Sequence, residues 1–176
     1  MSAGEGWARA ARSVVVCVLL TGLVVVLTPR RTTIPGPVAS WRADAARLRA
    51  AAPFPTYAPS RVPGSWSPAQ SRLTGVDAPP LAWQVDFVVP GGGHAALAES
   101  DEDAGAFASR MANIAAVAGR QRIGGTTWER RYREDKDQRS LVRRAGRVTL
   151  VVTGTAAWPD LTRLAASLRP RPGQAG

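Results

Sequence analysis

This sequence of 176 residues is short of the side chains that carry most enzyme chemistry. It has one cysteine, Cys17, and one histidine, His94. No disulfide can form within the chain, and no cluster of histidines or thiolates can hold a transition metal. A Ser-His-Asp arrangement could only be built on His94, and the G-x-S-x-G turn that exposes a nucleophilic serine is missing. Gly91–Gly93 and Gly124-Gly125 lack the Gly-Lys-Ser/Thr or G-x-G-x-x-G context of a phosphate loop. No catalytic, cofactor or metal site is therefore assigned. Lysine is equally scarce: of 23 Lys and Arg residues only Lys136 is lysine. With 13 acidic residues the formal charge is +10. A charge of that size raises nucleic acid as a partner. However, arginine, alanine, glycine and proline together are what high-GC coding favours, and the arginines run from Arg9 to Arg171 without a long basic block. Nucleic acid is accordingly disfavoured as the partner.

One long apolar run is present. Ser13–Thr28 reads SVVVCVLLTGLVVVLT without a charge. With Pro29 it makes about 17 residues, roughly 25 Å of helix, at the short end for a membrane span. Trp7 sits at interfacial depth, and Arg9, Arg12, Arg30 and Arg31 can snorkel from the two ends. A cleaved signal peptide is disfavoured, since Pro29 follows the run and no A-x-A site lies nearby. Lipidation of Cys17 fails because that cysteine lies early in the run, after Val16. The flanking arginines nearly balance, so a short N-terminal tail inside and an exported C-terminal domain is the expected orientation. The expected organisation is a cytoplasmic tail at 1–12, a single transmembrane helix at 13–29, a linker and juxtamembrane helix at 30–52, an extracytoplasmic domain at 53–170 and a disordered tail at 171–176.

Beyond the run the patterning is that of an α+β domain. Ser40 is placed to cap a helix over Trp41–Ala52, with Trp41, Ala45, Leu48 and Ala52 on one side. Five prolines between Pro53 and Pro68 make that stretch extended and turn-rich. Ser67–Leu73 reads as a strand. Leu81–Val89 alternates Leu81, Trp83, Val85, Phe87 and Val89 against polar residues, and His94–Glu99 returns after a glycine-rich turn, so a hairpin is expected. Ser100 and Asp103 form a capping-box pattern, and the acidic group Glu99, Asp101, Glu102 and Asp103 suits a helix start better than a calcium loop. That helix is expected over Ala104–Ala118, burying Phe107, Met111, Ile114 and Ala115 and stopped by Gly119. Three strands follow, Thr126–Arg133, Arg139–Arg144 and Arg147–Thr155, then a helix over Pro159–Leu168 and a frayed tail from Arg169. The order, hairpin, helix, three-strand meander and helix, implies an antiparallel sheet packed by helices.

The blocks PFPTYAPSRVPGSW, LAWQVDFVVPGGGHAALAES, TTWERRY, RSLVRRAGRVTLVVTGTA and LTRLAASL, behind an N-terminal anchor, resemble an actinobacterial family of single-pass membrane proteins classed as domain of unknown function 4245. The resemblance spans roughly Arg12 to Leu168. It implies an anchored, extracytoplasmic domain and carries no activity. More weakly, the strand order with its closing helix is similar to the Mog1/PsbP-like fold.

The cluster with some functional weight is basic: Arg130, Arg131, Arg133, Lys136, Arg139, Arg143, Arg144 and Arg147. On adjacent strands several of these share a face with Trp128 and Tyr132, a candidate anion-binding surface for anionic lipid headgroups or envelope polymers. The competing reading is a solvated face balanced by Glu129, Glu134, Asp135 and Asp137. The expected function is a non-enzymatic binding module whose partners are the membrane and an envelope protein, anionic lipid or polymer. The alternatives are an extracytoplasmic hydrolase with a site near His94, and a basic domain binding nucleic acid or an anionic polymer.

Overall fold

The alternation from Leu81 to Val89 buries every second residue in the structure, a computed structural model that describes residues 40–173. The predicted membrane span and Cys17 lie outside the described residues. Among the described residues no helix is long and apolar enough to cross a membrane. The elements are α1 (Trp41–Ala51), β1 (Thr56–Pro59), β2 (Ser67–Thr74), β3 (Ala82–Val89), β4 (Gly93–Ser100), α2 (Ala104–Met111), β5 (Ala116–Ile123), β6 (Thr126–Arg133), β7 (Gln138–Ala145), β8 (Val148–Gly154), α3 (Trp158–Ser167) and β9 (Leu168–Arg171). Seven strands form one sheet in the order β2-β3-β4-β8-β7-β6-β5, each antiparallel to its neighbour. The α+β class and the antiparallel sheet agree with the sequence reading.

One face of the sheet carries the main core. Trp83, Val85, Phe87, Leu97, Leu141, Leu150, Val152 and Trp128 pack there against Trp41 and Leu48 of α1 and Leu161 and Leu164 of α3. Trp41 stacks on Trp83 with ring centroids 6.5 Å apart, so α1 lies on the sheet of the domain. The opposite face is covered only in part, where Phe107 of α2 meets Ala98 and Val151. Fully burying side chains of this size contributes about 1.5–3 kcal/mol each, which holds the helices on the sheet. Gly154 ends β8 where a side chain has no room: a Cβ there would strike the carbonyl of His94.

Several boundaries differ from expectation. The helix starting at Ala104 stops at Met111, not Ala118, and its cap is Asp103, whose side chain accepts from the Ala106 amide at 2.8 Å. Ser100 is the last residue of β4 and accepts from the Glu102 amide, so the capping box does not form. The stop has a local cause. Arg133 donates to the Asn113 carbonyl and side chain at 2.5 and 2.8 Å, Gln138 donates to the Met111 carbonyl, and Asn113 and Ile114 turn left-handed at φ 54° and 56°. Ile114 is then 78% exposed rather than buried. The chain continues as β5, so the meander has four strands. Gly119 is no helix stop; it sits at a bulge in β5 with φ 128°. The C-terminal segment does not fray at Arg169. β9 pairs antiparallel with β1, register Pro59↔Leu168 to Thr56↔Arg171, because the proline-rich entry presents an extended edge there.

Candidate functional site

Strand alternation decides where the seven candidate arginines go, since neighbours along a strand point to opposite faces. Arg130, Arg139 and Arg143 share the face of Leu141 and Trp128, which α3, β1 and β9 cover. They lie on aromatic rings. The Arg130 guanidinium is 3.9 Å from the Trp158 ring centre, Arg139 lies 5.5 Å from that of Tyr132, and Arg143 lies between Tyr57 at 5.5 Å and Trp128 at 5.8 Å. Such stacking keeps the charge while the stem covers apolar surface. Trp128 itself is only 1% exposed, so it belongs to the core and not to a solvent surface. Arg147, in the turn after β7, lies 6.0 Å from the Phe54 ring. Arg143 also lines a cleft of about 260 Å³ with Tyr57, Thr126, Leu168 and Arg169.

Arg131, Arg133 and Arg144 occupy the other face, on which α2 packs; Arg133 reaches Asn113 in the turn that ends that helix, and Val142 of β7 lies against the Phe107 cluster. Arg131 is bonded to Glu129 at 2.6 Å and Arg133 to Asp135 at 2.8 Å. On the helix-covered face Arg139 is bonded to Asp137 at 2.8 Å. Hydrogen bonding to the arginines holds both Asp135 and Asp137 below the usual carboxylate range. Lys136 sits in the exposed 3-10 turn of residues Glu134–Lys136. The acidic residues that could neutralise the basic surface thus engage three of its arginines. Arg144 is exposed and makes no ion pair among the described residues.

The sequence reading missed two residues of this open face. Arg120 stands opposite Glu129 and Arg122 opposite Thr127, both exposed and both without an ion pair among the described residues. A signal was there: Gly124-Gly125 separates RQRI from TTWERRY, a two-residue hairpin turn. Extending the preceding helix too far concealed it. Arg120, Arg122 and Arg144 make an open basic patch, with Arg131 and Glu129 neutralising one another beside it.

The acidic group at 99–103 separates. Glu99 points into the core, 2% exposed, beside Trp83 and Leu150 on the flanking strands. It accepts from the Tyr57 amide at 2.9 Å, while its Oε1 has no partner. Burial pushes its pKa up to about 8, against the opposing pull of the Tyr57 hydrogen bond, so the carboxyl keeps its proton near neutrality. Asp101 accepts from the Leu81 amide, Glu102 pairs with Arg110, and Asp103 caps α2. These residues serve four separate structural roles. His94 is half-exposed at the end of the β3–β4 hairpin, with Nε2 3.5 Å from Asp86 Oδ1, and its amide donates to Thr155 Oγ1. No serine or cysteine hydrogen-bonds to the His94 ring or to the Glu99 carboxyl among the described residues.

A family model described as "Protein of unknown function (DUF4245)" matches residues 6–168. Among curated proteins none matches the chain. Solved structures similar to the chain include the crystal structure of MucB in complex with MucA(peri) and the complex of Pseudomonas aeruginosa MucA/MucB. Identity is 14% and 15%, and the TM-score is 0.35 for both. Each likeness covers 65% of this chain, while the chain spans 36% and 35% of the two structures.

Proposed function

We propose that this chain, which belongs to the DUF4245 family, is a membrane-anchored binding module of the cell envelope that recognises an anionic partner through the open arginine face. One observation carries the reading: Arg120, Arg122 and Arg144 are exposed on the same face of β5–β7 and have no carboxylate within ion-pair distance among the described residues. Glu129, the acid nearest to them in register, is committed to Arg131. Unneutralised arginines on a sheet hold guanidinium forks outward at fixed spacing, a geometry suited to carboxylates and phosphates. The attraction reaches about 10 Å at 0.1 M salt and weakens above that. The run at 13–29 supplies the anchor in this reading, with the domain on the outer side of the membrane. Function lies in recognition and not in turnover.

The test uses the full chain in nanodiscs of neutral lipid. Its affinity for polyglutamate is measured against salt concentration, alongside the triple variant Arg120→Glu, Arg122→Glu, Arg144→Glu. Affinity is expected to fall with salt and to drop by roughly tenfold or more in the variant. Equal affinity of both proteins would discard the reading. Protease cleavage of the domain in intact cells checks the orientation separately.

A further inference from the structure

We propose that the anionic partner is an extended acidic segment of another protein, added to the outer edge of β5 as a further strand; this rests on the arginine-face reading above. β5 ends the sheet, and among the described residues no strand pairs with its outer side. Its free main-chain donors and acceptors are a template for pairing. The two edges of the sheet are not alike. Both edge strands carry a bulge, but β2, at the far end, adds Pro68, which has no amide to donate, and exposes Gln70, Arg72 and Thr74. β5 carries no proline and exposes Ala116, Val117 and Ala118.

Among the described residues the most exposed large hydrophobic side chains lie at that edge: Ile114 is 78% and Val117 63% exposed. Ile114 also holds φ 56°, a conformation that suits asparagine or glycine and is strained for a β-branched side chain. A residue that is both strained and wet is retained against stability, which fits a contact made only when a partner is present. At the other end of β5, Arg120 and Arg122 stand on the face that also carries Val117. The edge therefore asks for an incoming strand with apolar residues near Val117 and carboxylates near Arg120 and Arg122. β5 has eight residues, so the strand it pairs with is about 26 Å long.

Charge also selects against a second copy of this chain. Two β5 strands meeting antiparallel over their full length would set Arg122 of each opposite Val117 of the other and would supply no carboxylate to any of the four arginines. An acidic segment supplies them. The acids near the apolar end are Glu134 and Asp135, and Asp135 is already held by Arg133.

The experiment presents the full chain in neutral nanodiscs with three short peptides. One carries valines in the half that meets Val117 and glutamates in the half that meets Arg120 and Arg122, the second is the same peptide with alternate backbone nitrogens methylated, and the third has lysine in place of glutamate. Binding is measured together with amide hydrogen exchange of residues 116–123. Strand addition predicts that the acidic peptide binds and slows exchange along β5. The methylated peptide should bind roughly tenfold more weakly or worse, and the lysine peptide should not bind. The pair Arg120→Glu and Arg122→Glu should reverse the preference toward the lysine peptide, which also shows that the variant is folded. Equal binding of the methylated and unmethylated acidic peptides, with exchange at β5 unchanged, would overturn strand addition and leave the arginine-face reading intact. Absence of acidic-peptide binding would overturn both. Protection of β5 by protein concentration alone would identify a second copy as the occupant and overturn this assignment.

Discussion

The Tyr57 amide donates to Glu99 Oε2 at 2.9 Å across 42 residues of sequence, tying β1 to the interior strand β4. The acceptor is a carboxyl that burial keeps protonated up to about pH 8. This contact anchors the small β1–β9 ribbon to the sheet.

The pH dependence of stability follows from that carboxyl. In the unfolded chain Glu99 ionises near its ordinary value of 4.5, whereas in the fold it ionises near 8. Between those values the folded state binds more protons, so the contribution of Glu99 to stability is full below about pH 4.5, shrinks as pH rises and is gone above about pH 8. Urea midpoints across this range should fall for the parent and be flatter for Glu99→Gln. Parallel curves would refute the assignment.

The contact between Arg130 and Trp158 has a measurable coupling. With the guanidinium 3.9 Å from the ring centre and Nε buried, a double-mutant cycle of Arg130→Met and Trp158→Leu should give about 0.5–2 kcal/mol. An additive result would show that Arg130 acts through packing alone.

Helix α1 should be required for folding. Trp41 stacks on Trp83, and Leu48 is 2% exposed. Trp41→Ala is expected to cost about 3–5 kcal/mol. A fragment beginning at Pro37 should give dispersed amide resonances, while one beginning at Pro53 should not.

Relieving the turn at Ile114 should separate stability from binding. Ile114→Asn removes a β-branched residue from a left-handed conformation and is expected to raise unfolding free energy by about 1 kcal/mol. Acidic-peptide affinity should drop in the same variant. A gain in stability with unchanged affinity would make the exposed isoleucine irrelevant to the partner.

His94 lies half-exposed beside Asp86. His94→Gln should change stability by about 0.5 kcal/mol or less and leave partner binding as it was. Loss of a hydrolytic activity in this variant would revive the enzyme alternative.

Much of the fold was legible where local pattern and tertiary need agree. Leu81–Val89 and the helix carrying Leu161 and Leu164 alternate or repeat so clearly that burial could be read directly, whereas in Thr126–Arg133 the strand was legible but the burial of Trp128 was not. β5 was not legible. AVAGRQRI has no apolar alternation, and it becomes a strand because β6 offers an edge and Arg133 and Gln138 end the preceding helix. β9 was hidden for the same reason, since Leu168–Arg171 is extended only through its pairing with β1.

The basic surface divides along the same line. The sequence alone determined that the chain is arginine-rich, nearly free of histidine and cysteine, and built as strands flanked by helices. Those properties follow from composition and periodicity, which act locally. Which arginines stand open was decided by tertiary structure. Pleating and strand order send Arg130, Arg139 and Arg143 onto aromatic rings, leave Arg144 open, and bring Arg120 and Arg122 beside it from a segment that reads as helix and loop. Burial likewise set Glu99 apart from its acidic neighbours, because the ionisation of a carboxyl depends on the water around it, and only the folded chain removes that water.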